Sequence, residues 1–413
     1  MLSLISSRKA ITKMQGIIIA IVIVVAVASG IAYYYLTLPK LPEEIRIGTV
    51  LPLTGPAALV GQDMKWAADM AAEEINAAGG VLGRKVKILY GDDESKPEKG
   101  ASETERLITK EGVVALAGHY HSSVHMAAIE ISHKYMIPDI GVSGMTEALR
   151  LKKYPNAFFT HSNTTAMAGV YARFTIDYVK PKTYALLSEE TDFGRLISTA
   201  IIKYITEHST AKCVYEGYAK VGEKDYYPIL TEIKAQKPDV ILINTSGVGV
   251  PLAYKQAREL GIPATMIGYL YVLKDFIDMV GPEYSEYYFS SNIFARAPVT
   301  PKTLPWFEKY AAKYGKEPSV QAARQYDAIY VVCDAIQRAG SVEADKIIKA
   351  LRETKFVGVR GTITFDPVYQ EWGFEYVEFG LVGQIQGGKL VVVYPFGVAE
   401  KPAIWQPWAP KPS

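Results

Sequence analysis

The chain of 413 residues has a formal net charge of +2, and 49% of its residues are hydrophobic while 21% are charged. This length is sufficient for two domains, and the composition is typical of a folded globular protein. The near-neutral charge, with no Lys/Arg cluster beyond the N-terminus, excludes the broad basic surface of a nucleic-acid-binding protein. The two cysteines, Cys213 and Cys333, are expected to be small buried residues.

The N-terminus carries a basic segment followed by an uncharged apolar run. Residues 1–15 include Arg8 and Lys9, and the apolar run occupies 16–36. A helix over this run would extend roughly 31 Å, close to the thickness of the hydrocarbon core of a bilayer. Because positive charge stays on the cytoplasmic side, we predict a cytoplasmic segment over 1–15, a transmembrane anchor over 16–36, a linker over 37–44 and an extracellular remainder.

Strand-like and helix-like segments alternate over most of the remaining chain. The strands predicted from short apolar runs are 45–51, 86–90, 113–117, 137–142, 183–188, 212–218, 240–244, 264–269, 363–365 and 390–394. The helices predicted from apolar residues at helical spacing are 62–78, 99–110, 169–179, 194–208, 227–235, 251–260, 326–339 and 344–353. This rhythm predicts parallel sheets with helices on both faces, in two successive α/β units. The Pro-rich tail over 399–413 is expected to lie extended on the surface.

One strand continues into a helix through a short polar turn. After the run 113–117, a helical pattern begins in which Val124 and Ala128 recur on one face. Ser122 and Ser123 occupy the position expected for an N-cap. Unpaired backbone N–H groups and the positive end of the helix dipole favour an anion such as a carboxylate at this point. The same pattern is also typical of an ordinary capped helix without a ligand.

Two clusters of side chains with potential chemistry occur near predicted strand ends. His119, His121 and His125 have a spacing that could suggest zinc, but a turn that enters a helix would direct the three imidazoles differently, and we predict no metal site. Asp92 and Asp93 could serve as an acid–base pair, although adjacent acids at a strand end are more typical of a solvated loop. No nucleophile elbow, phosphate-binding loop or dinucleotide fingerprint occurs, so we predict no catalytic residue and no cofactor.

Five segments form a distinctive combination. They are IGTVLPLTGP at 47–56, A-x3-NAAGGVLGR at 72–84, the acids at 92–93, GHYHSS at 118–123 and QARELGIP at 256–263. Together they resemble the leucine/isoleucine/valine-binding proteins, which are type I solute-binding components of ABC importers. The resemblance extends from about residue 44 to about residue 398.

The resemblance implies an α/β fold of the periplasmic binding protein-like type I. In that fold two doubly wound parallel-sheet lobes are joined by three crossovers, which we place near Asn163, Asn292 and Phe374. The expected lobe boundaries are 45–163 plus 293–374 for lobe 1 and 164–292 plus 375–398 for lobe 2.

The resemblance also implies a set of ligand contacts. Ser122 aligns with the serine that binds the ligand carboxylate, and Thr146 would replace a family threonine that aligns with Met145. The full set of implied ligand-binding residues is Tyr120, His121, Ser122, Ser123, Ser143, Gly144, Met145, Thr146, Thr164, Phe193, Ser246, Tyr269 and Tyr271.

One position departs from the family pattern. Amino-acid-binding members place an acid after the strand that here ends at Gly268, where it pairs with the ligand ammonium. This chain has Tyr269, Leu270 and Tyr271 instead. Because a buried ammonium without an anion is costly, either Asp192 or another acid supplies the contact, or the ligand is not an ordinary α-amino acid. The tyrosines would suit a ligand with a flat or apolar body.

The resemblance thus implies an extracytoplasmic solute-binding protein rather than an enzyme. Its ligand would be a branched-chain or related amino acid, an amide, or an aromatic or aliphatic carboxylate, and its partner would be an ABC permease. We expect the protein to be a monomer, to be tethered to the membrane and to bind no nucleic acid. The alternatives are a ligand-sensing receptor ectodomain of the same fold and a hydrolase that uses Asp92 and Asp93.

Overall fold

The computed structural model describes residues 13–37, 43–143, 147–161, 164–269, 272–291, 299–365, 381–397, 399–409 and 411. The chain divides into two compact units, Met1–Pro42 and Glu43–Ser413. The three expected crossovers, near Asn163, Asn292 and Phe374, lie outside the described residues.

The first unit contains helix α1, Lys13–Thr37. Its described apolar side chains are exposed, with Ile17 at 60% and Val24 at 66%. Among the residues that the structure describes, no helix is long and apolar enough to cross a membrane. The transmembrane anchor predicted over 16–36 is therefore not supported.

The second unit begins with a five-stranded sheet in which every strand pair is parallel. The strand order is β2-β1-β3-β4-β5. Its elements in chain order are β1 Glu44–Leu51, α2 Ala58–Ala77, β2 Lys85–Asp92, α3 Pro97–Thr109, β3 Ala115–Gly118, α4 Ser122–Lys134, β4 Asp139–Gly141, α5 Glu147–Leu151 and β5 Ala157–Phe159.

A seven-stranded sheet follows. Its helices and first strands are α6 Thr164–Phe174, a π-helical turn Thr175–Val179, β6 Thr183–Glu189, α7 Asp192–His208, β7 Lys212–Ala219, α8 Tyr227–Ala235, β8 Val240–Asn244, α9 Gly249–Glu259, β9 Thr265–Tyr269, α10 Leu273–Val280, α11 Pro282–Ser285 and β10 Phe289–Ser291. Strands β8 and β9 are buried along their whole length, as expected for parallel strands that are covered by helices on both faces.

The remaining elements return to both sheets. They are α12 Thr303–Tyr314, α13 Val320–Ala339, α14 Ala344–Arg352, the hairpin β11 Lys355–Val357 and β12 Thr362–Thr364, and then β13 Val382–Gln386 and β14 Lys389–Tyr394. Strand β13 pairs antiparallel with both β10 and β14, which gives the order β14-β13-β10-β9-β8-β6-β7. The predicted parallel sheet is confirmed for β6 to β10, and β13 and β14 add an antiparallel edge to it.

Two separate hydrophobic cores underlie the two sheets. The core of the five-stranded sheet includes α12, α13 and α14 as well as the early helix α2. The core of the seven-stranded sheet includes α6 to α10 and the late strands β13 and β14. We call these bodies the first half (44–161 and 299–365) and the second half (164–291 and 381–409).

The C-terminal residues pack against the second half. Gln406 is fully buried, and its side-chain amide accepts a hydrogen bond from Met266 N and donates to Met266 O and Tyr287 O. The ring of Trp408 lies 3.3 Å from the guanidinium carbon of Arg258. The prediction that the tail lies extended on the surface is therefore wrong for these residues, because Gln406 pairs with the backbone of β9.

Candidate functional site

The turn between β3 and α4 sets the direction in which helix α4 begins. His119 has a φ of 67°, a left-handed conformation that is uncommon for residues other than glycine. The N-cap of α4 is His121, whose side chain makes no capping hydrogen bond, and Ser122 is the first helical residue. The expected serine N-cap is thus wrong by one position. The first N–H groups of any helix lack an intrahelical acceptor, so this terminus still favours an anion.

A cavity of about 540 Å³, including its open mouth, lies at the carboxyl ends of strands from both sheets. We call it the central cavity. Ligands of α/β proteins bind at this edge of the sheet. The predicted site residues that line it are Tyr120, His121, Ser122, Ser123, Ser143, Phe193, Ser246 and Tyr269.

The other predicted site residues are not placed in the central cavity. Gly144, Met145, Thr146 and Tyr271 lie outside the described residues. Thr164 begins α6, but its side chain is not described. The ligand contacts expected from these residues stay predictions.

Five further residues, which the sequence analysis did not predict, also line the central cavity. They are Met167, Glu189, Thr191, Gln321 and Arg324. Glu189 and Thr191 follow β6, so the rule that ligands bind beyond strand carboxyl ends could have found them. Gln321 and Arg324 lie in the first turns of α13, which begins six residues before the predicted start at 326. Ser319 caps this extension, because its hydroxyl accepts a hydrogen bond from Ala322 N.

Glu189 is the acidic residue among those that line the cavity, and only 2% of it is exposed. Its Oε2 accepts hydrogen bonds from the backbone N–H and the hydroxyl of Ser246. Its Oε1 lies 4.0 Å from Nδ1 of His121, across the boundary between the two halves. Burial lowers the pKa of His121, although the charge of Glu189 opposes this shift. Asp192, the other acid considered from the sequence, is exposed and does not line the cavity.

The first half contributes hydrogen-bond donors and a cation. Arg324 is 2% exposed, and its Nη1 donates to the hydroxyl of Ser143 over 3.5 Å. Gln321 is equally buried, and its Oε1 has no hydrogen-bond partner among the described residues. Together with the N-terminus of α4, Arg324 gives this wall a positive character.

Aromatic rings form the apolar part of the lining. The ring of Tyr120 packs edge-on against the ring of His121 at 4.7 Å, and both belong to the first half. In the second half, the rings of Phe193 and Tyr269 are 6.1 Å apart. Tyr269 stacks in turn on Tyr171, with the ring centroids 5.4 Å apart. The cavity therefore combines a few polar groups with flat apolar surface, as small-molecule sites usually do.

Two of the three histidines meet below the start of α4. The rings of His119 and His125 stack with centroids 4.6 Å apart, so the prediction that all three imidazoles diverge is wrong for this pair. Asp139 completes a buried group whose ligand-type atoms lie within 4.8 Å of one another. Asp139 accepts from the hydroxyl of Ser132 at 2.7 Å and lies 3.5 Å from Nε2 of His125. Nearly parallel rings cannot both direct an in-plane lone pair at one tetrahedral ion, so this group fits a packing role better.

Asp92 and Asp93 serve the loop that follows β2. Asp92 accepts hydrogen bonds from the hydroxyl of Thr54 and from the backbone N–H groups of Leu53, Thr54 and Glu94, and these keep its pKa low against the effect of burial. Asp93 is fully buried, and burial raises its pKa to about 7. Neither lines the central cavity. The described contacts therefore give no support to a hydrolase that uses this pair.

Comparison with known proteins agrees with this architecture. A family model described as periplasmic binding protein matches residues 44–371. The Leu/Ile/Val-binding protein homolog 1 of Brucella suis biovar 1 (strain 1330) is 26% identical over 325 residues, which are 78% of this chain and 86% of that protein.

Two solved structures illustrate the shared fold. The branched-chain amino acid transporter substrate-binding protein of Streptococcus pneumoniae, in complex with isoleucine, has a TM-score of 0.74 at 24% identity and covers 84% of this chain and 97% of its own. An ABC transporter solute-binding protein of R. palustris, in complex with benzoate, has a TM-score of 0.76 at 19% identity and covers 89% and 99%.

The family match covers most of the chain, so the resemblance read from the sequence is confirmed. The matched region includes both sheets up to β12 and the residues that line the central cavity. The chain belongs to the periplasmic binding protein family.

Proposed function

We propose that this protein is an extracytoplasmic solute-binding protein of an ABC importer, and that it captures a small carboxylate-bearing ligand in the central cavity. The observation that carries this proposal is that residues of both halves line one cavity that also receives the N-terminus of α4. A ligand carboxylate there would accept hydrogen bonds from the first N–H groups of the helix and from Ser122.

Ligand binding would favour the arrangement in which the halves are closed. Lys316, in the loop before α13, forms a 3.0 Å ion pair with Asp275 of α10, and this contact joins the two halves outside the cavity. His121 and Glu189 face each other inside it. A ligand that contacts both walls gains all its interactions only in the closed state, so it shifts the equilibrium toward that state.

A thermal-shift screen of the full-length chain tests this proposal. The compounds are amino acids, amides, and aromatic and aliphatic carboxylates. A compound that binds only the folded state at a hundredfold excess over its Kd stabilises the protein by about 2.7 kcal/mol, which raises Tm by several degrees. We expect such a rise with carboxylates and none with matched neutral analogues. A chain whose Tm responds to none of these compounds would contradict the proposal.

We propose binding without turnover. Of the two residues of the hydrolase alternative, Asp92 is hydrogen-bonded to its own loop, and Asp93 is fully buried and does not line the central cavity. A ligand incubated with the protein and analysed by mass spectrometry is expected to be recovered intact. Accumulation of a cleavage product in proportion to time and protein would contradict this.

The tether and the partner are separate proposals. We infer that α1 associates with a membrane, because contiguous exposed apolar side chains such as Ile21, Val24 and Val25 are unusual in water. Cell fractionation tests this inference, and recovery in the soluble fraction would overturn it.

The binding unit would act as a monomer that delivers its ligand to ABC permease subunits, and ligand-dependent co-purification of permease subunits is the corresponding test.

A further inference from the structure

The central cavity contains charges of both signs on opposite walls. Arg324 and the N-terminus of α4 belong to the first half, whereas Glu189 belongs to the second. Arg324 and Glu189 are each only 2% exposed. A charge buried to this degree is costly unless a partner of opposite charge or a set of hydrogen bonds compensates it.

The contacts of Glu189 leave one side of its carboxylate directed toward the first half. Both hydrogen bonds that it accepts from Ser246 end on Oε2. Oε1 faces Nδ1 of His121 at 4.0 Å, which is beyond hydrogen-bond distance. Because burial lowers the pKa of His121, its imidazole is neutral near pH 7 and brings no full positive charge to Glu189.

The fold itself does not decide which ligand class binds. One structural neighbour holds isoleucine, which is zwitterionic, and another holds benzoate, which carries only a carboxylate. In this cavity a plain carboxylate bound at α4 would leave Glu189 without a cation. A zwitterion would place its carboxylate at the N-terminus of α4 and its ammonium at Glu189, so the buried carboxylate of Glu189 would gain a cation.

This inference rests on the proposed function and deepens it. We infer that Glu189 is the residue that selects ligands with a protonated amine beside the carboxylate, and so makes the cavity specific for amino acids over plain carboxylates. Glu189 thereby takes the place of the acid that is missing after β9, where Tyr269 now stands.

The sheet topology allows an acid at the end of β6 to replace the family acid after β9. Strands β9, β8 and β6 are consecutive neighbours in the second sheet, and all three are parallel. Their carboxyl ends therefore lie on one edge, and β6 is about 10 Å from β9, two strand spacings away. An acid at the end of β6 thus faces the same cavity as one after β9, from the same half.

Isothermal titration calorimetry with matched ligand pairs tests the inference. The pairs are L-leucine with 4-methylpentanoate and L-phenylalanine with 3-phenylpropionate, whose members differ only in the amino group. The proteins are the wild-type full-length chain, Glu189→Gln, and the control Glu190→Gln, which changes the adjacent exposed acid. We expect the amino acid of at least one pair to bind the wild type tenfold or more tightly than its partner.

Glu189→Gln should weaken binding of the amino acid about 10- to 100-fold and leave the deaminated partner unchanged or tighter, since one charged hydrogen bond is lost. Glu190→Gln should keep the wild-type preference. Equal binding of both members to the wild type, or equal weakening of both by Glu189→Gln, would overturn the inference and leave the proposed function standing. Binding of none of the four compounds to the wild type would overturn the inference; the broader screen then decides the proposed function separately.

Discussion

The two walls of the central cavity differ in chemistry and in how they are built. The wall of the first half contains a helix N-terminus, serine hydroxyls and the guanidinium of Arg324, which are hydrogen-bond donors, together with the acceptor Oε1 of Gln321. The wall of the second half combines the acceptor Glu189 with the rings of Phe193 and Tyr269. Each wall alone would satisfy only one end of a small ligand. We therefore expect ligand binding to require contacts with both halves.

The support behind the walls also differs. Behind the first wall, His119, His125 and Asp139 form a buried group, and contacts with His125, His119 and Ser132 keep the pKa of Asp139 low against the effect of burial. Behind the second wall, the hydroxyl groups of Ser188 and Ser198 form a neutral hydrogen bond of 2.6 Å. We therefore expect the first wall to be the more sensitive to pH.

Loss of the cation from the first wall should have the largest effect. Arg324→Gln removes a buried positive charge and should weaken binding of a carboxylate ligand by about 2–5 kcal/mol, which is at least thirtyfold in Kd. Calorimetry on the compound that raises Tm most provides the measurement, and Arg195→Gln, at an exposed position, is the control. An unchanged Kd in a folded Arg324→Gln protein would show that the first wall does not act through this charge.

A smaller effect is expected from the hydroxyl at the start of α4. Ser122→Ala should weaken binding by about 1.5–3 kcal/mol, or roughly ten- to a hundredfold, because a hydrogen bond to a charged group is lost. Ser102→Ala, an exposed serine on α3, is the matched control and should leave Kd unchanged. If both serine variants bind like the wild type, the carboxylate does not lie at this helix terminus.

The histidine His119 behind the first wall should make the stability of the protein depend on pH, whereas Ser188 and Ser198 behind the second wall do not titrate. Burial lowers the pKa of His119 to about 3, and the unfolded imidazole has a pKa of about 6.5. The unfolded state therefore binds more protons between these values, and stability falls as pH decreases from 6.5 toward 3. The slope from this residue approaches about 1.4 kcal/mol per pH unit.

Urea unfolding at several pH values between 7 and 5 measures this slope. His119→Asn removes the titrating group, and asparagine tolerates the left-handed backbone at this position. The variant should be less sensitive to acid than the wild type over this window. A wild-type slope that persists in the variant would assign the acid sensitivity to another group.

The smallest effect is expected from the apolar part of the second wall. Phe193→Ala removes one ring of the Phe193–Tyr269 contact and should weaken binding by about 0.5–1.5 kcal/mol, or roughly two- to tenfold. The exposed Phe396→Ala is the control, and calorimetry again measures Kd. A loss larger than that of Ser122→Ala would reverse the ranking of the two walls.

The sequence predicted the first wall better than the second. Ser122 could be placed because a strand, a turn and a helix follow one another within ten residues, and local patterns of this kind are readable. Glu189 is one residue beyond the predicted end of its strand, and it was missed because the family pattern places the ammonium-pairing acid after β9. The general rule that ligands bind beyond the carboxyl ends of strands would have included Glu189.

Gln321 and Arg324 could not have been found by local reasoning. They reach the cavity because α13 packs against the first sheet, and Gln325 of the same helix donates to the backbone of β3 across more than two hundred residues. The prediction of an extended tail was wrong for a related reason. Proline content is typical of exposed segments, but the contacts of Gln406 with Met266 depend on a tertiary partner far away in sequence.

The late return of the chain to both sheets has a consequence for its synthesis. The first core needs α12 to α14, and the second needs β13, β14 and Gln406. Neither core can therefore close while the ribosome is still making the middle of the protein. During synthesis the first core would stay incomplete until α14 is made, and the second until β14 and Gln406 are made.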